Sequence, residues 1–274
     1  DPRLRIVDVT TRLSVPEGGG GYTAHAARAD FEAAHLPGAV YADLNRDLSD
    51  PAGPYPFTLP SPEQFAAAAA ALGIGEQTHV VAYDSAGTAW ASRLWWLLRY
   101  FGSERVSVLD GGLAAWTAAG LRTESGASPP VAVNGPALVP RSRPELVATT
   151  AELAGALGSP GLTVVNALDP ATFAGTSPVC AYSRRGRIPG SRNLPFFTLL
   201  DPNTGRLRPA HELTTVLAGT GLVAARRPVT YCGGGVAATL PAFVAFLCHG
   251  TEVAVYDGLL AEWTAEPALP IELG

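Results

Sequence analysis

The chain has 274 residues, 47% hydrophobic and 16% charged, with a formal net charge of −5. All 19 of its basic side chains are arginine and none is lysine, which excludes Schiff-base aldolases, lysine-anchored pyridoxal phosphate and standard P-loop nucleotidases, since each needs that amine. An acidic chain with scattered arginines is not a general nucleic-acid binder either.

The length exceeds the usual single core, so two domains are expected. In the first half, β-branched runs at 6–9, 78–83 and 106–109 predict strands. Residues 62–72 read as an Ala-rich helix, with Ser61 as N-cap and Gly73 as its stop. A second helix, 89–101, carries Trp95, Trp96 and Tyr100. From 124 to 144 the chain is rich in Pro, Ser, Gly and Ala without periodicity, and reads as a linker. The second half predicts strands at 162–165, 229–231 and 253–256, and helices at 209–217 and 236–247. Apolar strands between helices imply an α/β fold with a mostly parallel sheet flanked by helices. The most apolar stretch, 229–247, is broken by Gly233 to Gly235 and by Pro241, so it is too short for a membrane span of about 18 residues and no membrane partner is expected.

The halves repeat each other. His35-Leu36-Pro37-Gly38-Ala39 returns 152 positions later as Arg187-Ile188-Pro189-Gly190-Ser191. Val80-Val81-Ala82-Tyr83-Asp84 returns after 148 as Pro228-Val229-Thr230-Tyr231-Cys232. The segment Val108 to Trp116 returns after 147 as Val255 to Trp263. Three blocks in one order at nearly constant offset indicate a tandem duplication, divided here as 1–124, a linker at 125–144, and 145–274. Asp110-Gly111-Gly112 and Asp257-Gly258 read as turns before helices.

The predicted strand 229–231 ends at Cys232, followed by Gly233-Gly234-Gly235-Val236-Ala237 and a helix. A cysteine between the C-terminal edge of a strand and a helix N-terminus stands where open α/β sheets bind ligands. Unpaired N–H groups there favour a thiolate, and consecutive glycines can turn successive amides inward as an anion cradle over 233–237. The alternative is a structural cysteine on a tight turn. The first half has Asp84 at the matching place, in Asp84-Ser85-Ala86-Gly87-Thr88, as expected if only one copy is active.

The His-Leu-Pro-Gly-Ala segment at 35–39, the helix motif Ser92-Arg93-Leu94-Trp95-Trp96, the Leu109-Asp110-Gly111-Gly112 turn and the cysteine loop together resemble the rhodanese family, specifically its two-domain sulfurtransferases. The resemblance covers essentially the whole chain. It implies two tandem rhodanese-like domains, a catalytically silent first domain, and a persulfide carried by Cys232 in the second. It implies a small sulfur donor, thiosulfate or 3-mercaptopyruvate, and a thiophilic acceptor: cyanide, thiols or thioredoxin. The alternative is a carrier or partner-binding protein with little turnover on small donors. The loop is similar to the Cys-Gly-Ser-Gly-Val-Thr loop of mercaptopyruvate sulfurtransferases and lacks the Arg-Lys pair of thiosulfate-preferring ones. Tyrosine phosphatases need Cys-x5-Arg, and the sixth residue after Cys232 is Ala238.

Departures from that pattern bear on the donor. The hydroxyl positions of the loop are Gly234 and Ala237, and the arginines expected near 168 and 174 are Leu168 and Ala174. The His before Ile-Pro-Gly is Arg187. The cluster Ser183-Arg184-Arg185-Gly186-Arg187 is expected to supply the anion clamp through Arg184, Arg185 or Arg187, or else to be a solvated loop. His35 is a candidate substrate contact, or orients its loop by hydrogen bonding. Cys180 could resolve the persulfide as an internal disulfide, or is an unreactive thiol; Cys248 reads as core. The histidines, His25, His35, His79, His211 and His249, show no paired ligand spacing, so no metal and no other cofactor is expected. An odd, sparse set of cysteines fits a reducing cytoplasm.

Overall fold

The computed structural model describes residues 1–16, 21–85, 87–128 and 130–274. In chain order the first half forms β1 (Leu4–Asp8), β2 (Thr11–Ser14), β3 (Thr23–Ala26), α1 (Arg28–Ala33), β4 (Val40–Tyr41), α2 (Pro62–Ala71), β5 (His79–Tyr83), α3 (Ala89–Tyr100), β6 (Val106–Val108) and α4 (Gly112–Ala118). The second forms β7 (Val147–Ala148), α5 (Thr150–Ala156), β8 (Leu162–Asn166), α6 (Pro170–Ala174), β9 (Arg192–Asn193), α7 (Ala210–Thr220), β10 (Arg227–Tyr231), α8 (Thr239–His249), β11 (Ala254–Tyr256) and α9 (Leu259–Ala265).

The expected α/β architecture is present twice. One sheet runs β4-β1-β5-β6 and the other β7-β11-β10-β8-β9, with parallel pairing throughout both. Apolar residues on these strands seed two cores. Tyr41, Tyr83, Phe31 and Leu36 belong to the first, and Val229, Tyr231, Tyr256 and Trp263 to the second. Among the described residues no helix is long and apolar enough to cross a membrane.

Local chemistry accounts for the element ends. Ser61 accepts from the Gln64 amide at 3.2 Å while Gln64 Oε1 accepts from the Ser61 amide at 2.7 Å, a complete capping box. The helix at 236–247 predicted from the sequence begins three residues late, at Thr239. Gly235 takes a φ of +71°, and the Thr239 amide bonds Val236 O at 3.0 Å, so the cysteine loop ends in turns before the helix starts. Pro241 then falls in the first turn of α8, where no i−4 carbonyl is waiting for its missing N–H. Gly250, with φ +66°, ends the helix.

The division into domains differs from the one expected. The first unit comprises Asp1–Arg12, Ala24–Arg143 and Leu200–Leu207; the second comprises Leu13–Thr23, Pro144–Leu199 and Arg208–Gly274. Most of the aperiodic stretch 125–144 therefore belongs to the first unit. Its backbone is bonded there: the Gly126 amide donates to Glu32 O at 2.7 Å, the Glu76 amide donates to Pro136 O at 3.0 Å, and the Arg141 amide donates to Phe101 O at 2.9 Å. Leu13–Thr23, early in the chain, belongs to the second unit, and no periodic signal announces that exchange.

Candidate active site

The two units build one framework at equivalent places. In the first, Tyr83 ends β5 and its hydroxyl accepts from the Leu36 amide at 3.2 Å. In the second, Tyr231 ends β10 and its hydroxyl accepts from the Ile188 amide at 3.1 Å. The carbonyl of the next residue, Asp84 or Cys232, accepts from the amide of Leu113 at 3.1 Å or of Leu260 at 3.0 Å.

The side chains at that place differ. The Asp84 carboxylate turns onto the start of α3 and accepts from the Thr88 and Ala91 amides, each at 2.9 Å. A buried carboxylate thus fills the anion position of that helix N-terminus. Ala86, in the middle of this loop, lies outside the described residues. In the second unit a cysteine stands in Asp84's place. Cys232 is free of disulfides and 2% exposed, and Gly233–Ala237 follow as a loop ahead of α8.

Two tyrosines close over this loop, and both belong to the second unit. A Cβ built on Gly233 would overlap the Tyr182 hydroxyl and lie 2.7 Å from its Cζ. A Cβ on Gly234 would overlap the Tyr22 hydroxyl and lie 2.7 Å from its Cζ. The glycines therefore make room for phenols as well as for backbone turns. Burial pushes the Tyr182 phenol up, and charge on Cys232, Tyr22, Cys180 and Asp169 adds to the rise, so its hydroxyl keeps its proton across the working pH range.

The three arginines of the cluster donate to nearby protein oxygens. Arg184 donates Nε to Thr264 O at 2.9 Å, Nη1 to Leu269 O at 2.9 Å, and Nη2 to Trp263 O at 3.0 Å and Glu266 O at 2.6 Å. It gathers the carbonyls at the C-terminal end of α9, where a cation is favoured. Arg187 is 8% exposed, lies 4.4 Å over the Phe173 ring, and pairs with the Glu272 carboxylate and Gly274 O. Arg185 is exposed and reaches back to the carbonyls of Ser177 and Pro178. In this structure each guanidinium is held by protein oxygens: backbone carbonyls for Arg184 and Arg185, a carbonyl and the Glu272 carboxylate for Arg187.

His35 does in the first unit what Arg187 does in the second. It stacks on Phe31 at 4.0 Å with an 8° interplanar angle, and its Nδ1 lies 2.7 Å from Phe31 O. Its backbone pairs both ways with Glu124, as Arg187 pairs with Glu272. The residue is 4% exposed, and these contacts orient the loop at 35–39. Leu168 packs on the second core. The Cys180 thiol points to Tyr182 O at 3.2 Å. Cys248 is half-buried rather than core, and burial pushes its thiol up. Among the described residues no group of three or more His, Cys, Asp or Glu is arranged to hold a metal.

The model of the rhodanese-like domain matches residues 1–119 and 149–266. The chain belongs to the rhodanese family. It is 33% identical to the 3-mercaptopyruvate sulfurtransferase of Escherichia coli over 99% of this chain and 93% of that one. It is 35% identical to the mitochondrial thiosulfate/3-mercaptopyruvate sulfurtransferase 1 of Arabidopsis thaliana, over 89% of this chain and 69% of that one. The crystal structure of SseA, a 3-mercaptopyruvate sulfotransferase from Escherichia coli, superposes with a TM-score of 0.80 at 31% identity, covering 94% of this chain and 93% of that one. The family resemblance read from 35–39, 92–96, 109–112 and the cysteine loop is borne out, as is the tandem fold. Sequence reasoning missed Tyr22 and Tyr182, since nothing in their spacing ties them to residue 232.

Proposed function

We propose that this rhodanese-family chain is a sulfurtransferase working by double displacement at Cys232. The thiolate attacks the outer sulfur of 3-mercaptopyruvate or thiosulfate, pyruvate or sulfite leaves, and a persulfide remains on Cys232. A thiophilic acceptor then removes the sulfur: cyanide in an assay, and a small thiol or a thioredoxin-like protein in a reducing cytoplasm. Backbone amides of Gly233, Gly234, Gly235, Val236 and Ala237 are the candidate cradle for the anionic sulfur, with the α8 dipole behind them.

The contrast between Asp84 and Cys232 carries this reading. One framework, kept twice, presents a built-in carboxylate in the first unit and a thiol in the second. The first copy neutralises its own helix N-terminus, and the second leaves the place to a group that can be a nucleophile. The names of the relatives and the absence of an Arg-Lys loop favour 3-mercaptopyruvate as donor. Mass spectrometry after donor treatment is expected to find one extra sulfur on the wild type and none on Cys232→Ser. A sulfur-loaded serine variant rejects the assignment.

A second reading has a specific observation behind it. Arg184, Arg185 and Arg187 are engaged and positions 168 and 174 are apolar, which suits a protein that carries sulfur delivered by another enzyme. That reading predicts persulfide loading from a protein donor with negligible turnover of 3-mercaptopyruvate; kcat/KM for the two small donors, measured side by side, decides between them.

A further inference from the structure

The two phenols over the loop mark a chemical substitution. Gly234 stands where the similar mercaptopyruvate loop has its serine, and the space a serine Cβ would need is taken by the Tyr22 hydroxyl. A hydroxyl on the loop and a phenol at residue 22 exclude each other in this arrangement. At Gly233, glycine in both loops, the space beside the nucleophile that a Cβ would need is taken by the Tyr182 hydroxyl. At 234 the site has thus exchanged an aliphatic hydroxyl carried by the loop for a phenol brought from outside it.

We propose that the Tyr182 hydroxyl is the proton donor to the carbon leaving group of a 3-mercapto-2-oxo acid as Cys232 takes its sulfur, with Tyr22 positioning it from the adjacent glycine. The inference rests on the reading of Cys232 as the sulfur-accepting thiolate. Its balance is complete without any added reagent. The Cys232 thiolate forms the S–S bond, the donor's C–S bond breaks, and the electron pair leaves on carbon as an enolate. Tyr182 O–H protonates that carbon to a methyl group. The Tyr182 phenolate takes the proton of the former donor thiol, now the persulfide S–H, and returns to its starting state. The products are a persulfide anion on Cys232 and a neutral methyl ketone bearing the donor's carboxylate.

Position and protonation both suit this role. Tyr182 is close enough to Cys232 for its charge to oppose ionisation of the phenol, so the group enters each turnover carrying the proton it must give. An enolate carbon is far more basic than a phenolate, so even a phenol held strongly to its proton gives it up in that direction. The shuttle also gives a reason for two successive small residues beside the nucleophile, since a side chain at either would displace a phenol.

Donor chemistry separates this role from a structural one. Inorganic tetrasulfide loses a trisulfide anion that needs no proton, so its sulfur transfer bypasses Tyr182. Tyr182→Phe, which keeps the ring and removes only the oxygen, is expected to lower the rate of Cys232 persulfide formation from 3-mercaptopyruvate by about 10²-fold. It is expected to leave loading from tetrasulfide near the wild-type rate. Tyr22→Phe is expected to give a smaller loss confined to the same donor. An equal loss with both donors, or none with either, overturns the proposal. Tetrasulfide loading also reports whether the variant has folded. Should it not fold, the wild type still decides the matter: a solvent deuterium isotope effect on sulfur transfer from 3-mercaptopyruvate and none from tetrasulfide is expected, and equal effects overturn the proposal. A wild type that takes no sulfur onto Cys232 from either donor refutes the reading of Cys232 itself.

Discussion

At the scale of single residues, Arg184 separates holding the fold from holding a donor. Its guanidinium collects four carbonyls from the end of α9 and the segment after it. Losing those charge-assisted bonds costs about 2–3 kcal/mol. Arg184→Ala is therefore expected to lower Tm by about 5 °C, while KM for 3-mercaptopyruvate, measured well below the melt, stays where it was. A raised KM with an unchanged Tm would instead make Arg184 part of an anion clamp. Cys232 was legible because strand, cysteine, glycines and helix are neighbours in the chain. The use of Arg184 was not, because its acceptors lie 79 to 85 positions away. Arg187 shows the same limit from another side. The sequence reveals that it replaces the histidine of the first repeat. Only the fold reveals that the replacement keeps the ring contact and the paired backbone, with Phe173 and Glu272 in the places of Phe31 and Glu124.

At the scale of elements, the strand that delivers Cys232 is held at its far end by an ion pair. Arg227 opens β10 and grips the Glu152 carboxylate of α5 with two bonds, 2.6 and 3.0 Å, while also donating to Glu145 O and Val147 O. The Arg227 hydrogen bonds hold the Glu152 carboxyl below its usual range, against a smaller opposing effect of burial. A carboxyl depressed in the folded state contributes stability that is present above its unfolded pKa and lost as pH falls through the folded one. Both partners are about one-third exposed, so solvent screening limits the pair to at most about 1 kcal/mol. Glu152→Gln is expected to melt slightly below the wild type at pH 7 and together with it near pH 3. A gap that persists or widens in acid argues against the pair as its origin. Helix α2 and strands β5, β8 and β10 were readable because capping residues and β-branched runs are local signals. The two-residue strands β4, β7 and β9 were not, because so short a run carries no period and is fixed by the sheet it joins.

At the scale of the whole molecule, duplication supplied two sets of the same backbone bonds, and divergence of one side chain, Asp84 against Cys232, gave them different chemistry. The repeat was visible as three blocks at nearly constant offset. The exchange of segments between units was not visible, because nothing at Leu13–Thr23 repeats at the corresponding offset. That exchange has a functional consequence. The second unit holds the nucleophile, its loop and Tyr182, yet Tyr22 comes from the opening of the chain. A fragment of residues 144–274 keeps every strand of the second sheet but has nothing to lay against Gly234. If the N-terminal half were only a silent passenger, such a fragment would load persulfide from 3-mercaptopyruvate as well as the whole chain does. With Tyr22 part of the site, the fragment is expected to do no better than full-length Tyr22→Ala on that donor. Adding a peptide of residues 11–26 in excess is expected to recover part of the difference. A fragment with full activity would remove Tyr22 from the site and leave the loop of Cys232 to work with Tyr182 alone.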